Sequence, residues 1–133
     1  MAAVKAYKGT VNAWGKEREV FRVKYNFSDD AGAVGALNLF TAGDKMIIES
    51  AKMAVKTTCT SGGLATVSCG KTGDLAGLVA ATAVASLTAN AVIFGAAQDA
   101  SHVLASGDIV KMDIAVAALT AGEIDFMFEV QKF

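Results

Sequence analysis

Apolar and polar residues alternate with period two along much of the chain. Phe21, Val23, Tyr25 and Phe27 alternate with Arg22, Lys24 and Asn26, the pattern of a strand with one buried face. Val110, Met112, Ile114 and Val116 alternate in the same way with Lys111, Asp113 and Ala115, and Ile124, Phe126, Phe128 and Val130 with Asp125, Met127, Glu129 and Gln131. The short link from Ala117 to Gly122 predicts that these last two strands form an antiparallel hairpin. A long strand is expected from Met46 to Thr58, with Lys52 and Lys56 on one face and Ala51, Met53 and Val55 on the other. It is expected to turn at Ser61-Gly62-Gly63 into a partner strand, Leu64 to Cys69. Shorter strands are expected at Val4 to Val11, Ala36 to Phe40 and Ala91 to Phe94. The spacing of Leu75, Leu78, Val79 and Thr82 predicts one short helix, near residues 74–87, capped by Asp74. About eight strands separated by turn signals make the chain all-β, an antiparallel sandwich or barrel. No repeat or linker divides it. The expectation is one domain over residues 1–133, with 1–19 as an N-terminal docking arm or an edge strand.

Composition narrows the functional classes. The chain has 133 residues, 53% hydrophobic and 19% charged, with a net charge of -1. That is enough to bury a core and too apolar for disorder. A charge near zero excludes a general nucleic-acid binder, which needs a cationic surplus. Proline is absent and glycine numbers 13, so Gly, Asn, Asp and Ser must make the turns. Two cysteines are too few for a disulfide framework. With a hairpin at Ser61-Gly62-Gly63, Cys69 would lie roughly 13 Å from Cys59, beyond the ~7 Å a disulfide spans. Both are read as reduced. Met1 to Gly9 lacks an apolar signal region, which points to synthesis in a cytoplasm. Leu75 to Ala97 carries no charge, but Thr82, Ser86, Thr88 and Asn90 dilute it and no basic or aromatic flanks anchor it. It reads as a buried helix followed by a buried strand, with no membrane partner.

No catalytic, cofactor-binding or metal-binding set emerges. His102 is the single histidine and reads as a loop residue beside Ser101, without a triad partner. Two distant cysteines and one histidine do not make a zinc site. Asp29, Asp30 and Asp44 lack calcium-loop spacing, and Ser28-Asp29-Asp30-Ala31-Gly32 reads as a turn. Gly32, Gly35 and Gly43 do not form a phosphate loop. Gly62, Gly63, Gly107 and Gly122 read as turn positions. Trp14 is either a core residue or an interface anchor. The charge distribution says more than its sum: residues 1–24 carry a net +4 and the remainder -5. This is either a solvated basic strand face or a docking surface for an acidic partner.

Three stretches resemble a known family. Tyr25-Asn-Phe-Ser-Asp-Asp-Ala-Gly-Ala-Val-Gly35, Val55-Lys-Thr-Thr-Cys-Thr-Ser-Gly-Gly-Leu-Ala-Thr-Val67 and Ile114-Ala-Val-Ala-Ala-Leu-Thr-Ala-Gly-Glu-Ile-Asp-Phe-Met-Phe-Glu-Val130 look like turn-and-strand patterns of tailed-bacteriophage capsid decoration, or cement, proteins. The resemblance covers most of the chain from about Tyr25 onward. It implies an all-β sandwich, often assembled as a homotrimer on the outside of an icosahedral shell, with no catalysis and no cofactor. The implied partner is the major capsid protein, and the implied location the virion exterior. Periodicity does not separate jelly-roll from immunoglobulin-like connections; a jelly-roll-like order is the expectation carried forward. On this reading Lys5, Lys8 and Arg18 would meet acidic capsid loops, with Tyr7 or Trp14 as the apolar anchor. The alternative is a receptor- or glycan-binding sandwich of a phage head or tail fibre, with exposed aromatics lining a groove.

Overall fold

The computed structural model describes residues 10–11, 19–95 and 99–132. Ten strands organise them: β1 (Thr10–Val11), β2 (Glu19–Asn26), β3 (Gly35–Ala42), β4 (Met46–Ser61), β5 (Thr66–Lys71), β6 (Asp74–Ala83), β7 (Val92–Phe94), β8 (Val103–Leu104), β9 (Ile109–Ala115) and β10 (Leu119–Lys132). A single-turn helix, α1 (Phe27–Asp30), and 3₁₀ turns at Val84–Ser86 and Ala100–His102 complete the set. One sheet has the order β1-β3-β9-β5-β6. The other has the order β2-β10-β4-β7, with β8 also on β4. The pairs nest: β2 with β10, β3 with β9, β4 with β7 and β8, and β5 with β6, all antiparallel. A long hairpin rolled onto itself in this way is a two-sheet jelly roll, so the sandwich is of the expected kind. β1 adds one short parallel pairing, Thr10 and Val11 against Thr41 and Ala42. The rest of the expected strand Val4 to Val11 lies outside the described residues.

The two predicted hairpins are not formed. β4 and β5 belong to different sheets, and so do β9 and β10. Their links, through Gly62 and Gly63 and through Val116 and Ala117, cross from one sheet to the other. Consecutive amphipathic strands can bury their apolar faces by pairing edge to edge or by folding face to face, and alternation is the same in both. Among the described residues only β5 and β6 form a tight hairpin, around Thr72 and Gly73. As a result β5 lies inside its sheet, between β9 and β6, and is not an edge. β7 is an edge of the other sheet.

The expected helix over residues 74–87 is also corrected. Residues 74–83 are strand β6, and helical geometry is confined to the turn at Val84–Ser86. The spacing misleads because β6 is bulged: Cys69 pairs with Val79, while Lys71, two residues on, pairs with Asp74, five residues away. Extra residues on one strand break the period of two. Leu78 and Val79 are thus both buried, and the i, i+3, i+4 pattern imitates a helix. Among the described residues no helix is long and apolar enough to cross a membrane.

The core lies between the sheets. Val110, Met112 and Ile114 from β9 face Ile124, Phe126, Phe128 and Val130 from β10, all buried. Phe40 of β3 meets Phe128 of β10 edge to face, ring centroids 5.1 Å apart at 68°, an aromatic contact that ties one sheet to the other. Cys59 and Cys69 are free and buried, in agreement with the reduced reading.

Candidate functional site

The strand connections gather into two ends with different chemistry. At one end lie the links β2–β3 (residues 27–34), β4–β5 (62–65), β6–β7 (84–91) and β9–β10 (116–118). Their only charged residues are Asp29 and Asp30. Asp30 is buried and accepts the Asn26 amide at 3.0 Å, while the Asn26 side chain accepts the Ser28 amide at 3.0 Å. These reciprocal bonds start α1, as capping side chains do, and make Ser28-Asp29-Asp30-Ala31-Gly32 the turn its sequence implies.

The loops of this end are fastened to one another by uncharged groups. The Tyr25 hydroxyl, at the end of a fully buried side chain, donates to the Ala31 carbonyl at 2.6 Å. Burial pushes the Tyr25 phenol well above its ordinary range, so it remains a donor at neutral pH. The Leu119 amide donates to the Gly32 carbonyl at 2.8 Å, Ser61 Oγ donates to the Ala118 carbonyl at 2.7 Å, and Thr60 and Thr120 hydroxyls meet at 2.7 Å. Backbones approach closely where glycine allows it. A Cβ on Gly63 would stand 2.9 Å from that of Ala117, and one on Gly122 would stand 2.5 Å from Cys59 Sγ. Gly122 has φ +137° and sits within β10 at a register shift, a bulge rather than the turn position expected.

Three apolar side chains project from this end: Val34, Leu64 and Val116, 57%, 83% and 74% exposed. Val34 precedes β3, Val116 follows β9, and Leu64 precedes β5. Because the sheet order is β3-β9-β5, they line one rim, within roughly 10 Å at ~4.8 Å per strand. Val116 has φ +72°, and the Ala117 amide donates across it to the Ala115 carbonyl at 2.9 Å. A positive-φ γ-turn is rare and strained, the more so with a β-branched residue at its apex. Nothing in the separate sequence stretches signals this rim; it exists only through strand order.

The opposite end is polar. Its links carry Asp44 and Lys45 (β3–β4), Lys71 and Asp74 flanking the β5–β6 turn, and Asp99, His102 and Asp108 before β9. Lys71 Nζ donates to the Val103 carbonyl at 3.0 Å, and Asp108 accepts the Ala105 amide at 2.9 Å. His102, read as a loop residue, is buried at the end of a 3₁₀ turn, where Nδ1 accepts the Asp99 amide at 3.3 Å. No group of three or more metal-ligating side chains occurs among the described residues.

The outer face of the β2-β10-β4-β7 sheet carries a shallow groove of about 390 Å³ between Arg22, Asp125, Ala54, Lys56 and Val92. Asp125, a polar position of the alternating pattern, is 3% exposed. One of its oxygens meets Arg22 at 3.4 Å and the other has no hydrogen-bond partner. The sequence-based docking residues Lys5, Tyr7, Lys8, Trp14 and Arg18 all lie outside the described residues.

No protein-family model matches the chain, and no curated protein is significantly similar to it in sequence. Similarity appears in three dimensions. A chain of the cyanophage Pam1 capsid asymmetric unit superposes with a TM-score of 0.63 at 14% identity, over 90% of this chain and 88% of that one. A chain of the capsid of Ralstonia phage GP4 gives 0.61 at 15% identity, over 90% and 86%. One from the acidic stable capsid structure of Helicobacter pylori bacteriophage KHP30 gives 0.62 at 11% identity, over 87% and 88%. At such identities the property shared is the fold.

Proposed function

We propose that the chain is a structural protein of a phage virion that binds the outside of the shell and stabilises it by bridging major capsid protein subunits. The observation that carries this reading is the fold match to chains of three phage capsids, which spans nearly the whole of both partners each time. A protein that binds the assembled lattice and not the loose subunit adds its binding energy to the stability of the shell.

Homotrimeric assembly is part of the proposal. It is supported by β6 and β7, edge strands of the two sheets, within a stretch from Leu75 to Ala97 without charge or proline. Edges left without such protection are normally covered by another chain. The positive N-terminal segment, with Lys5, Lys8 and Arg18 and the anchors Tyr7 and Trp14, is proposed as a docking arm for acidic capsid loops. The glycan-binding alternative calls for exposed aromatics along a groove. Among the described residues one large exposed apolar side chain is aromatic, Phe94, at a sheet edge.

The test is to co-express the chain with the shell-forming protein encoded in the same genome and sediment the particles. Co-sedimentation, with shells that withstand a higher temperature, is the expected result; a chain that remains at the top of the gradient contradicts the proposal. Deleting residues 1–14 separately tests the arm, and unchanged occupancy would exclude it.

A further inference from the structure

We infer that the rim formed by Val34, Leu64 and Val116 is a second surface, besides the proposed N-terminal arm, with which the chain meets the shell, and that it fits an apolar, uncharged patch there. The inference rests on the virion reading above and names the contact. Three independent features converge on this rim. It gathers three of the six large apolar side chains exposed among the described residues. Asp29 is the single exposed charge in its four loops, so the complementary surface must itself be without charge; a charged partner group would lose its water and gain no counter-ion. The loops are also pre-set. Hydrogen bonds from Tyr25, Ser61 and Leu119 hold them together, and the strained γ-turn keeps Val116 outward. Little ordering entropy is then lost on contact. Strain of this sort persists where surrounding structure over-determines it, and it concentrates at functional positions.

The rival occupant is a second copy of this chain. The edges at β6 and β7, without charge from Leu75 to Phe94, offer a surface for that, along the side of the sandwich rather than at its end.

The experiment compares three proteins on shells made by co-expression: the unaltered chain, Leu64→Asp/Val116→Asp, and Thr72→Asp, which adds a charge at the opposite end. Circular dichroism melting confirms that each is folded, and sedimentation of the free proteins reports their oligomeric state. The unaltered chain and Thr72→Asp are expected to co-sediment with shells, while the double variant loses at least about tenfold in occupancy with its free oligomeric state unchanged. Equal occupancy of all three overturns the rim assignment and leaves the virion reading standing. Dissociation of free oligomers by the double variant overturns it too, in favour of a second copy. If the unaltered chain itself fails to co-sediment, the virion reading falls and this inference falls with it.

Discussion

The two ends of the jelly roll answer different demands with the same strands. At the apolar end three glycines are crowded, Gly32 against Leu119, Gly63 against Ala117 and Gly122 against Cys59, while Gly35 and Gly62 have open space. At the charged end Gly70 lies against the backbone of Asp74 and Leu75, while Gly73 and Gly107, both with φ +95°, have nothing within 4 Å of where a Cβ would sit. One end is a set of loops pressed together beneath three exposed apolar side chains. The other is a set of turns that bear ionic groups and are joined by the Ser106 hydroxyl donating to the Gly43 carbonyl, the Gly107 amide to the Ala42 carbonyl and the Thr72 amide to the Ile109 carbonyl. The difference teaches that exposure of Val34, Leu64 and Val116 is not looseness. They stand on loops that Tyr25, Ser61 and Leu119 fasten to one another, so a contact surface there would keep its shape before its partner arrives.

Substitutions at matched glycines sharpen this contrast most. Gly122→Val forces a branched side chain into Cys59 at a φ that L-residues avoid, and is expected to cost about 3 kcal/mol or more, enough to prevent folding or lower the melting temperature by roughly 10 °C. Gly107→Ala meets only the backbone cost, about 1 kcal/mol. Equal losses in a melting experiment would mean that Cys59 gives way and Gly122 is not a fixed close approach.

Tyr25→Phe comes next. It removes the donor to the Ala31 carbonyl and leaves that acceptor short of a partner, at a cost of about 1–2 kcal/mol in denaturant unfolding. Val116→Gly should act in the opposite sense, raising stability by about 0.5–1 kcal/mol as the positive φ becomes relaxed, while lowering occupancy on shells. A variant that melts higher yet binds less is the signature of strain held for contact. A fall in both would show that Val116 serves packing alone.

The smallest effect lies in the alkaline range. Burial pushes the Cys59 thiol from 9.0 up to about 11. The folded chain therefore keeps a proton that the unfolded chain releases, and unfolding is coupled to its loss. This contribution is complete below pH 9 and declines as the pH rises from 9 towards 11; buried Tyr25 and Cys69, also shifted upward, extend the decline. Cys59→Ala should flatten the slope of stability against pH in that window, whatever it does to the absolute value. An unchanged slope would mean the thiol is solvated.

Much of this architecture is legible in the sequence, and the limits have physical causes. The alternation of Val110, Met112 and Ile114, or of Ile124, Phe126 and Phe128, marks the strands and their buried faces because one face of each is dry. Pairing is another matter. Val116 and Ala117 link strands that fold face to face, yet their flanking pattern is that of a hairpin, since burial sets the pattern and strand order does not. The bulge near Val79 shows the converse, a strand whose extra residues reproduce helical spacing. Asp125 reads as a solvated polar position and is buried on the outer sheet face beside Arg22. The Val34, Leu64 and Val116 rim is the most consequential feature the sequence hides. Its members are separated by 30 residues and by 52, and only the order β3-β9-β5 brings them side by side.

Electron cryomicroscopy of particles carrying the chain tests the central claim most directly. Jelly-roll density is expected to stand on the shell, with Val34, Leu64 and Val116 against its surface and the end that bears Asp44, Asp99 and Asp108 turned away from it. Density with the charged end seated on the shell, or particles without the chain, would contradict it.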